Sequence, residues 1–182
     1  MYDGNIRANF PESAHRMLKR VPLAVLLLLA GAAAGVALHT VLTPGDTMFA
    51  GKRPTNLGVH GGRLAPCRRT PNCVSSQADP ADAVHYIAPI PFQGAPVEAM
   101  AAVRRVVDSL PRATVVRHEP DYLYAEFRSR LMGFVDDVEF AYDDKAGLIQ
   151  LRSASRLGRR DLGVNRKRIE AIRALILRRV SA

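Results

Sequence analysis

Polar and apolar positions are arranged in three different ways along this chain, and each arrangement predicts a different element. From Val21 to Leu42 there is no charged residue and no polar stripe at a 3.6-residue period, which argues against a surface helix with one face in water. At about 1.5 Å per residue such a run can cross the ~30 Å hydrocarbon core of a bilayer as one helix. From Val97 to Leu110 the apolar residues recur at helical spacing: Val97, Met100, Val103, Val107 and Leu110 share a stripe, opposite Arg104, Arg105 and Asp108. Pro96 and Glu98 open that helix and Pro111 stops it.

Farther along, the period falls to two. A hairpin is predicted over Thr114 to Arg117 and Tyr122 to Arg128, turning at Glu119, Pro120 and Asp121. Leu123, Ala125 and Phe127 take one face; Tyr122, Tyr124 and Glu126 take the other. A second hairpin joins Phe134 to Tyr142 with Leu148 to Ser155 through residues 143–147. The last helix spans about Asn165 to Arg179, with Ile169, Ile172, Leu175 and Ile176 inward and Asn165 as its N-cap. Ahead of all these, Val84 to Phe92 holds Pro89 and Pro91 and is at best an edge strand.

Strands joined by short turns pair antiparallel, and their apolar face needs a cover. The expected fold is therefore α+β: an antiparallel sheet of four strands, five with the edge strand, and two helices packed on one face. One N-terminal transmembrane helix precedes it. Four regions follow: a basic leader over 1–20, an anchor or signal peptide over 21–42, a linker over 43–63 and a soluble domain over 64–182. The stretch from Thr43 to about Ala83 is rich in Gly, Pro, Asn and Ser and carries little apolar periodicity.

Charge sharpens the topology. Arg7, Arg16, Lys19 and Arg20 precede the uncharged run, whereas the nearest cations after it are Lys52 and Arg53. The positive-inside rule then keeps the N-terminus in the cytoplasm and exports the chain from about residue 43, to a periplasmic or other extracytoplasmic location. Ala32, Ala33, Ala34 and Gly35 also offer the small residues of a signal-peptidase site, so cleavage stays open. The net charge is +9, and it is concentrated in residues 151–182, where ten Lys and Arg face only Asp161 and Glu170. In a cytosolic protein this would suggest nucleic acid; beside a membrane it fits anionic lipid headgroups or an acidic envelope protein, or simply a solvated helix face. No nucleic-acid partner is expected.

The two cysteines, Cys67 and Cys73, enclose a proline-containing loop, and an even count in an exported domain favours a structural disulfide. A metal site would need two more ligands from His60, His85 or His118, which follow no zinc spacing; neither metal nor cofactor is expected.

Asp136 shares strand parity with Phe134, Val138, Phe140 and Tyr142 on an otherwise apolar face. If the second hairpin turns through five residues, Asp136 lies between Arg152 and Arg156; a four-residue turn would shift the register and pass that role to Asp137 or Glu139. The following strand-to-helix segment, with Gly158 and Gly163 and the cations Arg156, Arg159, Arg160 and Arg166, offers an anion cradle at a helix N-terminus. The candidate ligand-binding residues are Arg130, Asp136, Arg152, Arg156, Asn165 and Arg166.

Four blocks carry a family resemblance: Pro71 to Gln77; Ser129-Arg130 with Gly133 to Phe140; Arg152 to Gly158; and Asp161 to Arg166 followed by Arg168-Ile-Glu170. Over about residues 64–178 the chain resembles the domain of unknown function 1499. The resemblance implies a domain boundary and supplies no reaction. Basic Arg159 and Arg160 depart from the family pattern, which has smaller or polar residues there.

Two functions compete. One is a membrane-anchored, noncatalytic module that binds an anionic ligand, lipid or envelope partner through the face around Arg130, Arg152, Arg156 and Arg166. The alternative is a hydrolase-type enzyme using Ser75 or Ser76 as nucleophile, or Asp136, Asp137 and Glu139 as acid/base groups or metal ligands. A serine nucleophile needs a base and an orienting group, and neither His85 nor His118 stands in such a context. Adjacent Asp136 and Asp137 point to opposite faces of a strand. The residues favour the module.

Overall fold

A computed structural model describes residues 22–42 and 49–180, with side chains described for 22–32, 34, 35 and 49–178. The chain divides into two compact units, Met1–Asp46 and Thr47–Ala182.

Among the described residues, the first unit holds one helix, α1 (Leu23–Leu42). Its 20 residues correspond to about 30 Å of axis, and Leu23, Leu27, Leu28 and Leu29 are each more than 60% exposed. Among the described residues, no helix is long and apolar enough to cross a membrane.

The second unit is an α+β domain. Its elements are β1 (Cys73–Ser75), β2 (Ile90–Pro91), α2 (Pro96–Asp108), β3 (Ala113–His118), β4 (Tyr122–Arg128), β5 (Val135–Asp143), β6 (Leu148–Ser155) and α3 (Val164–Val180). These strands all pair antiparallel, in the order β1-β6-β5-β4-β3, and β2 lies beside β1 on the same edge of β6; Ser75 of β1 also makes an isolated parallel bridge with Tyr86. The four long strands are those expected from the alternation. Of the proposed edge strand only Ile90 and Pro91 pair, against Ile149 and Leu148. The three-residue β1, not expected, pairs Cys73 with Ala154 and Ser75 with Arg152.

Both α2 and α3 pack on one face of the sheet. Met100, Val103, Val106 and Val107 from α2, and Ile169, Ile172 and Ile176 from α3, meet Leu123, Ala125, Val138, Phe140, Ile149 and Leu151 in one core. Each such side chain stabilises the fold by roughly 1.5–3 kcal/mol on burial. The α2 stripe is rotated from the expected one: Val106 is buried and Val97 is exposed. At the start of α2, Glu98 Oε2 accepts the Ala95 N–H at 3.0 Å, the half of a capping box that does not require an N-cap side chain.

The second hairpin turns through four residues rather than five, because Asp143 stays paired with Leu148. Its carboxylate then accepts the Ala146 N–H at 3.2 Å, and Gly147 closes the turn at φ 62. This sets the register. Glu139 lies opposite Arg152, and Asp136 opposite Ser155.

The other face of the sheet is covered without a helix. Residues 49–66, which include the described part, 49–63, of the linker expected over 43–63, contribute Leu57 and Leu64, which pack on Tyr122, Tyr124 and Ala141. Gly58 N–H donates to Glu139 at 2.8 Å. The packed domain thus begins ahead of residue 64.

Candidate functional site

On the strip-covered face, Tyr122, Tyr124 and Glu126 of β4 lie beside Glu139 and Asp137 of β5, and Arg152 of β6 follows. Alternation alone would place these residues in water. Instead Glu139 is 0% exposed, Asp137 1% and Glu126 5%. Isolated carboxylates at such depth would cost several kcal/mol each, so cations must accompany them.

Three arginines do. Arg152 Nη1 donates to Glu139 Oε2 at 3.2 Å, while the Tyr122 hydroxyl donates to Oε1 at 2.9 Å. Arg156 binds Asp137 through Nε at 3.0 Å and Nη2 at 2.7 Å, and reaches Glu126 at 2.5 Å. Arg53, from the covering strip, closes Glu126 from the other side at 2.6 Å. The Tyr124 hydroxyl lies 2.6 Å from Asp137 and 3.0 Å from Glu126 and has one proton to give.

The electrostatics follow from this packing. Burial pushes the Glu126 carboxyl up, but Arg156, Arg53 and Tyr124 outweigh it and hold the group below its ordinary value. Burial likewise opposes the Arg156 charge, and Asp137 with Glu126 more than reverses that. Burial first, then the neighbouring carboxylates, raise both Tyr122 and Tyr124, so the phenols remain donors.

A cleft of about 700 Å³ opens beside this network, between the strip, the cysteine loop and β6. Lys52, Arg53, Arg68, Arg152 and Arg156 line it, against the single carboxylate of Asp137. The three lining arginines other than Arg68 are paired with Glu126, Asp137 and Glu139. Lys52 and Arg68 are exposed and, among the described residues, carry no ion pair, leaving the cleft with surplus positive charge. Arg152 Nε is buried and is the one buried side-chain polar atom among the described residues with no hydrogen-bond partner. The Cys67–Cys73 disulfide, with Cα atoms 5.6 Å apart, holds the loop that carries Arg68 over the cleft.

The remaining expected site residues fall elsewhere. Asp136 does not sit between Arg152 and Arg156, because the shorter turn moves the register by one; it faces α3 and pairs with Arg168 at 2.6 Å. The register alternative, with Asp137 and Glu139 taking those arginines, is the one observed. Asn165 is not the helix N-cap: α3 begins at Val164, and Asp161 accepts the Gly163 and Asn165 N–H groups at 3.0 and 2.9 Å. The buried Asn165 side chain instead donates to Asn72 O at 3.1 Å and Ser155 Oγ at 3.0 Å, tying the cysteine loop to the sheet. Arg166 is spent on the carbonyls of Ala83, Val84 and Tyr86, and Arg130 is exposed in the β4–β5 loop.

The enzyme components are also placed. Ser76 Oγ contacts Gln150 Oε1 at 2.6 Å and accepts the Leu151 N–H at 2.9 Å. Ser75 and His85 line a second cleft of about 580 Å³. There Ser75 Oγ accepts the Gln77 N–H at 3.2 Å, and the two His85 ring nitrogens face Asp82 at 2.7 Å and Thr70 O at 3.3 Å. No imidazole nitrogen is left over as a base for Ser75. Among the described residues no group of three or more His, Cys, Asp or Glu is placed to hold a metal ion.

Sequence reasoning missed Lys52, Arg53 and Arg68 as partners of this face. The available signal was that Glu126, Asp137 and Glu139 share one sheet face once the hairpin registers are drawn, and the cations of the preceding strip are the nearest uncommitted supply.

Fold and site together define an α+β domain with helices on one sheet face and, on the other, a buried ion network under a disulfide-closed loop. The chain belongs to the family described as Protein of unknown function (DUF1499), whose model matches residues 63–176. No curated protein matches the chain.

Proposed function

We propose that this protein is a membrane-anchored, noncatalytic module whose exported domain binds a small carboxylate- or phosphate-bearing anion in the cleft beside Arg152. One observation carries the reading: a guanidinium nine-tenths buried, with an unpartnered Nε, lines a cleft whose wall holds more cations than the network beneath it consumes. A buried N–H without an acceptor costs about 1–3 kcal/mol, and an anion oxygen is the partner that best relieves it. The uncharged run 21–42, the exposed leucines of α1 and the basic residues ahead of them support the anchor. The disulfide fits an oxidising compartment outside the cytoplasm.

The test is calorimetric titration of the full chain with inorganic phosphate and with succinate. Arg152→Lys keeps a charge for Glu139 but removes the fork, and Lys52→Ala with Arg68→Ala leaves the buried network intact. Each is expected to weaken binding about tenfold, equivalent to about 1.4 kcal/mol, with affinity falling as salt rises. Binding of both anions unaltered by either variant, or no binding of either anion by the native chain, would sink the proposal.

A further inference from the structure

The end of the sheet where β4 runs into β5 and β6 runs into α3 displays apolar side chains that the fold does not bury. Leu131 is 91% exposed and Leu162 87%, with Met132, Phe134 and Leu157 at 47%, 36% and 40%. The two loops leave the sheet together, because Phe127 pairs with Asp136, Asp136 with Ser155, and Arg156 N–H donates to Val135 O. Exposed Arg130, Arg159 and Arg160 stand among these residues. The one carboxylate in either loop, Asp161, is committed to the start of α3. Leu162 also sits at φ 54, where glycine or asparagine would be less strained, so the fold presents this leucine against its backbone preference.

The covering strip enters the domain at the same end. The Phe49 ring lies 5.3 Å from that of Phe134, and Gly51 runs so close to the β6–α3 loop that a Cβ on it would stand 2.9 Å from Arg156 Cβ and from Leu157 Cγ. Only residues 43–48 separate α1 from Phe49, a tether of at most about 25 Å when fully extended.

We propose that this end of the domain rests on the anionic surface of the bilayer, with Leu131 and Leu162 inserted at the headgroup boundary and Arg130, Arg159 and Arg160 against lipid phosphates. The inference rests on the anchor proposed above. Apolar tips flanked by arginines match the chemistry of the interfacial zone, where acyl chains meet phosphates within a few ångströms. A protein interface of the same size would instead have a core depleted of charge.

The experiment uses the full chain reconstituted into phosphatidylcholine vesicles with and without phosphatidylglycerol. Nitroxides are attached through Leu131→Cys, Leu162→Cys and, at the opposite end of the sheet, Lys145→Cys, the native disulfide leaving each new thiol the sole reactive one. In anionic vesicles the labels at 131 and 162 are expected to relax faster with oxygen than with an aqueous nickel chelate, and the label at 145 the reverse. Arg159→Gln with Arg160→Gln should reduce that contrast several-fold. A chain that floats with the vesicles after carbonate washing while all three labels stay aqueous overturns the resting face and leaves the anchor standing. A chain that does not float overturns both.

Discussion

The two faces of one sheet are buried to similar depth by opposite means. On the helix-covered face, Leu123, Val138, Phe140 and Leu151 meet regular helices whose backbone groups are already paired, so the contact is apolar throughout. On the other face, Tyr122, Glu126, Asp137 and Glu139 lie under an irregular strip whose backbone brings N–H groups that need side-chain acceptors, such as that of Gly58, which donates to Glu139, and whose side chains bring Arg53. A cover of that kind needs acceptors beneath it. The lesson is that burial does not require an apolar face, only one whose polar groups match the cover.

The comparison breaks most visibly at its centres. Arg156→Ala would leave Glu126 and Asp137 deeply buried with their shared cation gone, a loss of about 3–5 kcal/mol. Phe140→Ala on the other face should cost about the same through its cavity. Urea unfolding at several pH values separates the two. With Arg156 removed, Glu126 keeps only Arg53 and the more distant Arg128, so its protonation relieves part of the loss and the deficit shrinks in acid; the Phe140→Ala deficit does not. Parallel losses at every pH would mean that the polar face is held by packing alone.

Acid should then act on one face of the native chain. The Glu126 carboxyl is held below its ordinary value in the fold, so the stability it contributes is present above the unfolded value of about 4.3 and is lost as pH falls through the folded value. Thermal unfolding of the native chain should therefore fall off steeply below about pH 4. Glu126→Gln should flatten that limb while lowering stability at neutral pH, where Arg53 and Arg156 lose a charged partner.

The helix-covered face was legible from sequence because a two-residue period and a 3.6-residue period both point to it, and α2, α3 and the four long strands fall where those periods place them. Two things were not. The register of the second hairpin turned on one residue of turn length, which alternation cannot supply; the Asp143 carboxylate and Gly147 decide it. The polar face read as a solvent face, since Tyr-x-Tyr-x-Glu alternates identically whether water or Arg53 lies above it. Strand β1 was missed because three residues carry no period, although its first residue, Cys73, was read as half of a structural disulfide.

A smaller effect is expected from the disulfide. Replacing Cys67 and Cys73 with serine frees a loop of separation 6, which the chain-entropy account values at about 2 kcal/mol. The loop also positions Arg68 at the cleft, so phosphate affinity should fall with it, whereas the helix-covered core should keep its hydrogen-exchange protection. Protection lost uniformly over both faces would show that the strip and the core unfold as one unit.

The smallest effect tests whether distance or depth controls these ion pairs. Arg104 and Asp108 on α2 meet at 2.6 Å with both side chains 43% and 50% exposed; Arg168 and Asp136 meet at the same 2.6 Å with 13% and 12% exposed. Coulomb's law at fixed separation makes them equal only if the surrounding medium is equal. It is not, since water screens the first pair on all sides while Phe127, 4.9 Å from the Arg168 guanidinium, and the Asn165–Ser153 network surround the second. Arg104→Ala should therefore cost no more than about 0.5 kcal/mol, and less in high salt. Arg168→Ala should cost several times that with little salt dependence, because buried Asp136 loses its cation and Asn165 Oδ1 keeps only the Ser153 hydroxyl as donor. Equal, salt-sensitive losses would place Asp136 in effective contact with water and move that edge of the core to the solvent side of the comparison.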